Sequence, residues 1–473
     1  MVVWWCGDRT LAQAPLGKRP RTQPRRAFRL TDDLSGSTVE PGNGGCLGDV
    51  GSVKNLIAVS TLGLVLALGA PVLGAEVAIL CGEQAEEFRL CREGAEAWAR
   101  RSGNTVQVLP APERSDERYL SYLDRLVRRE PGADVLQIDT IWPGALAPHL
   151  VDLKPSVPAE ILGAHLPSIV ANNTVDGRLV ALPWFTDVGL LYYRRDLLER
   201  HGVPVPETWG QLGEAALAVQ SAGRAAGNAE LWGYVFQGGA YEGLTCNGLE
   251  WVSAYGGTLL DAEGGIAVND PRAAFALGQV AAWIGTVVPP RVTRFNEEDA
   301  RRTFQLGNAV FMRNWPYAWA LLNAADSPVR GQVGVAPLPK GGVDGRRSAT
   351  LGGWQLAVSK YSAVQPEAID LVLHLTGRAE QKRRAVRGAF APTIAALYDD
   401  PEVLAANPFF RDLGPALANA VARPAVRTGP RYAHLSTLFW GAAHATLLGQ
   451  GSASDNLAAL EDRLRLLQLR AGW

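Results

Sequence analysis

The chain has 473 residues, with 46 Lys and Arg against 47 Asp and Glu, and this balance argues against a nucleic-acid-binding protein, which ordinarily carries a basic excess. The apolar fraction of 47% excludes a disordered chain, and the length fits two or three domains. The 14 Trp residues suit either a ligand site lined with flat rings or a tryptophan-rich core.

The first 75 residues are predicted not to belong to the folded protein. Residues 1–52 carry clustered Arg and Lys and then a Gly- and Ser-rich stretch, without a sustained apolar period. We expect them to be a doubtful leader, a gene-call artefact, with the true start at or near Val53. Residues 53–75 have the basic residue, apolar run, helix breaker and small residues of a signal peptide. The run at 56–75 is also long enough to be an uncleaved membrane anchor.

Beyond residue 75, short strands alternate with helices. Strands are predicted at 76–80, 105–109 and 134–138. The helices between them are marked by apolar residues at helical spacing: Phe88, Cys91, Ala95 and Trp98, stopped by Gly103, and then Tyr119, Leu123, Leu126 and Val127. This βαβα order predicts a mostly parallel sheet covered by helices. Ligands bind such sheets beyond the carboxyl ends of the strands, which places Asp139 well for a site.

The remainder of the chain continues the mixed pattern. Further strands are predicted at 178–183, 189–193, 234–237, 309–313, 333–336 and 355–359. Helices are predicted from a Thr208–Gln211 capping box to about Ser221, around Trp251, at 297–306 before Gly307, and over most of the C-terminal part. Two α/β lobes are the natural architecture at this length.

Motifs of common enzymes are absent. The sequence has no HExxH, P-loop, GxSxG or dinucleotide-binding glycine motif. The six His residues have no ligand-like spacing: His149, His165, His201, His374, His434 and His444. A phosphoryl-transfer, hydride-transfer or metal-hydrolase enzyme is therefore disfavoured, and we expect neither a cofactor nor a metal.

Three Cys residues lie beyond the predicted signal peptide. Export makes a disulfide possible. Cys81 ends a strand-like segment and Cys91 lies in the following helix, so this pair is the favoured bridge, and Cys246 is left unpaired. Three buried free thiols are the alternative.

Several segments, taken together in this order, carry a family resemblance: 134–139 with Trp142, 181–187, 191–194, 206–209, Phe304 with 307–309, 313–319, 333–339 and 351–354. The set resembles the family 1 extracytoplasmic solute-binding proteins of ABC sugar importers, most closely the trehalose/maltose-binding branch, from about Glu76 to the C-terminus. The resemblance implies an α/β periplasmic-binding-protein type II fold, with two lobes joined by a hinge and a ligand cleft between them. We expect residues 76–186 plus about 339–386 in lobe 1, and about 187–338 plus 387–473 in lobe 2.

The resemblance also implies a ligand-binding set. A disaccharide offers hydroxyls and apolar ring faces, so its binding takes carboxylate acceptors, Arg donors and aromatic rings. The candidate contacts are Glu87, Arg118, Asp139, Phe185, Asp187, Tyr241, Glu242, Trp315, Tyr317, Gly352, Gly353, Trp354 and Arg423.

The resemblance also implies individual roles, and most of these residues have a plainer alternative. Trp315 and Trp354 resemble stacking platforms, whereas Trp251 and Trp319 are assigned to the core. Three carboxylates resemble acceptors for sugar hydroxyls. Asp139 could instead cap a helix, Glu87 could complement a helix dipole, and Asp187 could make a hydrogen bond in a turn or hinge. The arginines resemble donors but could be solvated side chains. Phe185 stands where the members that this sequence resembles most carry Tyr, which removes a hydroxyl donor from the site and leaves the detailed sugar preference open.

The leading functional hypothesis is a non-enzymatic receptor. It would be periplasmic or otherwise extracytoplasmic and monomeric, would close on an α-linked disaccharide such as trehalose, maltose or sucrose, and would deliver it to ABC permease subunits. The first alternative is a glycoside hydrolase, because carboxylates and aromatic rings around a sugar also describe that chemistry. The second is a membrane-tethered sugar-sensing domain, which depends on the fate of residues 56–75.

Overall fold

The computed structural model describes residues 74–418 and 420–472. The leader and signal-peptide predictions fall outside these residues except at Gly74 and Ala75. Within the described ranges, none of the helices combines the length and apolar character needed to cross a membrane.

The described residues form eleven strands in three sheets. The strands are β1 (Glu76–Gly82), β2 (Thr105–Ala111), β3 (Val135–Asp139), β4 (Thr174–Val175), β5 (Arg178–Leu179), β6 (Leu182–Val188), β7 (Leu190–Arg194), β8 (Trp232–Val235), β9 (Ala309–Asn314), β10 (Val333–Pro337) and β11 (Leu351–Val358). We call the sheet ordered β2-β1-β3-β11-β6 the first sheet and the sheet ordered β10-β7-β9-β8 the second sheet. A two-stranded ribbon pairs β4 with β5.

Helices cover both large sheets and fill most of the C-terminal part. They are α1 (Ala85–Ser102), α2 (Ser115–Val127), α3 (Pro143–Leu146), α4 (Ala159–Ala164), α5 (Pro167–Asn172), α6 (Arg195–His201), α7 (Trp209–Ala225), α8 (Glu242–Ala254), α9 (Pro271–Trp283), α10 (Glu297–Gln305), α11 (Ala318–Leu322), α12 (Gln365–Thr376), α13 (Arg378–Gly388), α14 (Pro401–Ala406), α15 (Leu413–Ala418), α16 (Ala425–Thr428), α17 (Tyr432–Leu447) and α18 (Ala453–Ala471). Short 3₁₀ turns lie at Ala147–His149, Lys154–Ser156, Pro290–Arg294, Ala395–Leu397, Pro408–Asp412 and Gly429–Arg431.

Local sequence signals account for several helix ends. Gly103 adopts φ 75° and ends α1, as predicted, because glycine enters the left-handed region without a steric penalty. The Thr208 side chain accepts from the Gln211 amide and the Gln211 side chain accepts in return, so the predicted capping box is confirmed. The helix it starts continues beyond Ser221 to Ala225.

Some predicted boundaries are wrong. The predicted strand at 178–183 is two strands, β5 and β6, and β6 continues to Val188. The strand predicted at 355–359 begins earlier, at Leu351. The prediction started too late because Gly352 and Gly353 weaken the strand signal in the sequence, although both residues pair with β6 in the structure. Val127 is exposed and does not belong to the buried face of α2.

The chain passes directly between the two large sheets at two places. Gly189 alone separates β6 of the first sheet from β7 of the second, and residues 338–350 lead from β10 back to β11. We call these the first and second crossings. In the first sheet β1, β2 and β3 are parallel, as predicted, but β11 is antiparallel to both of its neighbours. In the second sheet β7 is antiparallel to both of its neighbours.

Each large sheet has its own apolar core. Successive residues of β1 face opposite sides of the first sheet: Ile79 packs into one cluster with Trp98 of α1, and Leu80 packs into another with Tyr122 of α2. A larger cluster surrounds the second sheet and includes Trp251, which is buried as predicted.

Candidate ligand-binding site

A cleft lies between the two large sheets. All the candidate contacts named from the sequence line it: Glu87, Arg118, Asp139, Phe185, Asp187, Tyr241, Glu242, Trp315, Tyr317, Gly352, Gly353, Trp354 and Arg423. The fold therefore brings to one cleft side chains that are more than 300 residues apart in the chain.

Strand pairing in the first sheet places four of these residues side by side. Trp354 of β11 lies opposite Asp139 of β3 on one side and Phe185 of β6 on the other. Two residues earlier, Gly352 lies opposite Asp187. The register shifts after Trp354, so β6 carries one extra residue at this point, and such a bulge turns side chains relative to the regular pleat.

Trp354 lines the first-sheet side of the cleft. The guanidinium carbon of Arg118 lies 4.3 Å from its ring centroid, and the Trp142 ring packs against it edge-on. Gly353 adopts φ 128°, and a Cβ there would lie 2.6 Å from the Phe185 carbonyl oxygen. Only glycine fits this position, because the β6 backbone leaves no room for a Cβ and the φ lies in the region that glycine alone enters readily.

Arg118 combines a support role with spare donor capacity. Its Nε donates to the Pro112 carbonyl at 2.8 Å, whereas its Nη1 has no hydrogen-bond partner among the described residues. The side chain is buried. The alternative of a solvated surface arginine is therefore wrong.

Trp315 lines the second-sheet side of the cleft. It follows β9, and its ring lies against Gly352, where a Cβ would approach it to 3.2 Å. The guanidinium carbon of Arg313 lies 3.7 Å from the ring centroid, and the indole Nε1 donates to Glu297 at 3.3 Å. The ring is held from both its flat face and its polar edge.

Arg423 links the two sides of the cleft. It donates to Asp139 Oδ1 and to Glu242 Oε1, each at 2.9 Å, and the side chain is buried. Glu242 also accepts from the hydroxyls of Tyr432 and Ser436, so protein donors occupy both of its oxygens. Asp139 Oδ1 also accepts from the Ile141 amide. No protein donor among the described residues is recorded for Asp139 Oδ2, so Asp139 retains more acceptor capacity than Glu242.

The start of α10 adds two carboxylates to the cleft. Glu297 accepts from the Tyr241 hydroxyl at 2.6 Å, and Glu298 accepts from the Tyr317 hydroxyl at 2.9 Å. Burial acts to raise the pKa of Glu298, but hydrogen bonds from Arg301 and Tyr317 bring it below its ordinary value. The first turn of a helix also favours carboxylates because of the helix dipole.

Glu87 and Asp187 are the other predicted acceptors. Glu87 lies in the first turn of α1 and accepts from the Gln137 amide. Asp187 Oδ1 is buried without a hydrogen-bond partner among the described residues. Burial, together with the nearby carboxylates Glu87 and Asp139, raises the pKa of Asp187 to about 8. Asp187 therefore holds its proton more tightly than an ordinary carboxyl group and can act as a hydrogen-bond donor when protonated.

A second unpaired group lies beneath the cleft. The guanidinium carbon of Arg384 lies 3.9 Å from the Trp184 ring centroid, 4.4 Å from that of Phe390 and 5.0 Å from that of Phe185. None of its three guanidinium nitrogens has a hydrogen-bond partner within the described part of the chain. Burial lowers the pKa of Arg384 to about 10. Phe185 therefore serves as part of an aromatic cage as well as a cleft wall.

Polar contacts bridge the mouth of the cleft. Gln84 donates to Glu298 at 3.3 Å, and Asn296 donates to Glu113 at 3.5 Å. Arg114 donates to the Ala240 carbonyl at 3.4 Å and lies over the Tyr241 ring. These bonds join segments that follow strands of the first sheet to segments of the second-sheet side.

Sequence reasoning missed several residues that line the cleft: Gln84, Glu113, Ser115, Gly243, Cys246, Glu297, Glu298 and Phe390. Gln84 and Glu113 directly follow β1 and β2, so the strand-end rule that selected Asp139 would have found them. Glu297 and Glu298 gave a weaker signal, because acidic residues in a first helical turn are common for the dipole alone.

The cysteines are arranged as the sequence favoured. Cys81 and Cys91 are joined in a disulfide between β1 and α1, and Cys246 is free and buried beside the cleft. Burial raises the pKa of the Cys246 thiol well above its ordinary value. Across the described ranges, no group of three or more His, Cys, Asp and Glu side chains could hold a metal ion.

Comparisons with known proteins agree with this architecture. The family model for bacterial extracellular solute-binding proteins matches residues 124–382. A probable ABC transporter-binding protein of Deinococcus radiodurans is 46% identical over 423 residues, which cover 89% of this chain and 100% of the relative. A maltose-bound structure of T. maritima MalE3 is 39% identical with a TM-score of 0.79, over 83% of this chain and 100% of that one. A mannitol-binding protein of Pseudomonas aeruginosa is 26% identical over 330 residues, 65% of this chain and 73% of the relative.

The fold is the type II fold of periplasmic sugar-binding proteins, as expected from the resemblance. The chain belongs to the bacterial extracellular solute-binding proteins. It is accordingly an extracytoplasmic binding protein of an ABC transporter and not an enzyme, which removes the glycoside-hydrolase alternative.

Proposed function

We propose that this protein captures an α-linked disaccharide of the trehalose or maltose type in the cleft, closes on it, and delivers it to the permease of an ABC importer. The observation that carries the proposal is the convergence of two tryptophan platforms, Trp354 and Trp315, from different sheets on one cleft. Flat rings on both sides match the two apolar ring faces of a disaccharide.

The polar residues of the cleft support the same ligand class. Asp139 Oδ2 is available as an acceptor, and Asp187 and Arg118 each offer an unused polar atom. Sugar hydroxyls both donate and accept, so a mixture of acceptors and donors between two rings suits them. The T. maritima relative, whose whole length is covered by the match, is described as maltose-bound.

Closure would occur by rotation of two lobes about the two crossings and the connection near residue 387. We propose lobe 1 as residues 76–186 plus about 339–386 and lobe 2 as about 187–338 plus 387–473, a division that keeps the strands of the first sheet in lobe 1, apart from the last two residues of β6, and the strands of the second sheet in lobe 2. A ligand that touches both platforms gains all its contacts only when the lobes are closed, and therefore favours closure. The bonds that bridge the cleft mouth, such as Gln84 to Glu298, would stabilise that state.

The test is a sugar panel on the purified monomeric protein, read by calorimetry and tryptophan fluorescence. Trehalose, maltose and sucrose represent α-linked disaccharides, and lactose and mannitol serve as controls without that linkage. We expect saturable binding and a fluorescence change with at least one α-linked disaccharide, because closure alters the surroundings of Trp315 and Trp354. Tighter binding of lactose or mannitol than of every α-linked disaccharide would contradict the proposal.

A further inference from the structure

A buried ion pair lies directly behind the Trp315 platform. Glu250 of α8 and Arg313 of β9 are both fully shielded from solvent. Arg313 donates through Nε and Nη2 to the two carboxylate oxygens of Glu250 and through Nη1 to Gln237 at 3.2 Å. Buried ion pairs are often no more stabilising than apolar residues of the same volume. The informative feature of this pair is therefore its position.

The ion pair contacts the Trp315 ring through Arg313. The guanidinium of Arg313 is stacked on Trp315, with 3.7 Å between its central carbon and the ring centroid. The bidentate bond to Glu250 fixes the plane of the guanidinium, since two parallel hydrogen bonds allow little rotation. The orientation of the Trp315 ring is thus tied to the position of Glu250.

The same carboxylate also contacts both crossings. At the first crossing, a Cβ on Gly189 would lie 2.1 Å from Glu250 Oε1 and 2.8 Å from Arg313 Nη2, so the backbone there rests on the pair. At the second crossing, the Thr350 amide donates to Glu250 Oε1 at 3.1 Å. One oxygen atom therefore meets both segments that join the two sheets.

We propose that Glu250 and Arg313 are positioning residues that couple the Trp315 platform to the two crossings, so that a sugar ring stacked on Trp315 favours the closed arrangement of the lobes. The inference rests on the proposed function. In physical terms, a rotation at the crossings moves Glu250, which moves Arg313 and the ring stacked on it. Ligand contact with the ring and the angle at the crossings are then linked and must influence each other equally.

The test is a double-mutant cycle on sugar affinity, measured by calorimetry on the full chain. The pair is replaced as Glu250→Leu with Arg313→Met, which removes both charges together and leaves neither one unpaired. This replacement is made with Trp315 intact and again with Trp315→Ala. We expect the dissociation constant to rise about tenfold with Trp315 intact and less than about twofold in the Trp315→Ala protein.

If the replacement raised the dissociation constant by the same factor with Trp315 intact and with Trp315→Ala, the proposal would be overturned, since a purely structural pair would weaken binding independently of Trp315. The matched control replaces the ion pair between Arg194 of β7, in the same sheet, and Asp196 of α6 by Arg194→Met with Asp196→Asn, and the sugar affinity of this variant should not change. If the Glu250 and Arg313 replacement does not fold, the cycle is run with Arg313→Lys, which keeps the charge but loses the bidentate geometry. Absence of sugar binding by the wild-type protein would instead refute the proposed function.

Discussion

The two tryptophan platforms each stack on an arginine, but the two arginines are bonded differently. Arg313 behind Trp315 has protein acceptors for Nε, Nη1 and Nη2, whereas Arg118 behind Trp354 has the Pro112 carbonyl on Nε and no described partner on Nη1. Arg313 can therefore hold its ring but has little left for a ligand, and Arg118 can do both. The same pair of residue types serves different purposes because the surroundings differ.

The largest effect is expected on the free energy of unfolding, which should fall much further when Arg313 is replaced than when Arg118 is replaced. Arg313→Met leaves Glu250 buried without its counter-ion, and breaking such a pair typically costs about 3–5 kcal/mol of unfolding free energy. Arg118→Met leaves no carboxylate unpaired and should cost about 1 kcal/mol, the size of one lost hydrogen bond. Urea denaturation of both variants measures the difference, and equal losses would contradict the comparison.

The second effect is a pH dependence at Asp187, which lies opposite Gly352 near the end of β6 and lines the cleft. The pKa of Asp187 is about 8 in the folded protein, above its ordinary value near 4, so the folded state holds a proton that the unfolded state has lost. Stability should therefore fall as the pH rises from about 4 to 8, and Asp187→Asn should remove this contribution.

The measurement is the unfolding free energy of both proteins at pH 5 and pH 8. Between these values we expect the wild-type protein to lose roughly 2–4 kcal/mol more than Asp187→Asn, since each pKa unit corresponds to about 1.4 kcal/mol. The comparison with the variant removes the contributions of other titrating groups. A parallel pH dependence of the two proteins would show that Asp187 ionises normally in the fold.

The third effect concerns sugar affinity and tests whether both rings are platforms. Trp354→Ala and Trp315→Ala should each weaken disaccharide binding by about 2 kcal/mol or more, roughly 30-fold, as expected for aromatic residues at the centre of a binding site. Trp319→Phe is the control, because Trp319 donates to the Ala406 carbonyl and does not line the cleft. Calorimetry on the three variants decides, and unchanged affinity in either alanine variant would remove that ring from the site.

Much of the candidate site could be predicted from the sequence, because the strand-end rule and the family resemblance both indicate residues that meet only in the folded chain. Asp139 was found from its place at a strand end, and it lies at the end of β3 beside the cleft. The family resemblance supplied Arg423, which bonds to Asp139, 284 residues earlier in the chain, and to Glu242, 181 residues earlier.

Other features depend on three-dimensional packing and left no pattern to detect. The cage around Arg384 is built from rings on β6 and after α13, and the charges of Glu250 and Arg313 meet only because α8 packs against the second sheet. Burial decides the state of Asp187, and burial cannot be read from an Asp that sits between a Thr and a Val. The antiparallel direction of β11 also left no pattern in the sequence. The chain enters β11 from the second crossing, residues 338–350, which contains no helix.

The smallest effect sharpens the contrast between the two arginines by a conservative change. Arg118→Lys keeps the positive charge near Trp354 but loses the planar fork, so a donor aimed at sugar hydroxyls is displaced while stability changes little. We expect about a tenfold loss of disaccharide affinity, or about 1.4 kcal/mol. Arg125→Lys on the same helix is the control, since Arg125 does not line the cleft. Equal affinity of the two variants would mean that Arg118, like Arg313, only supports its ring.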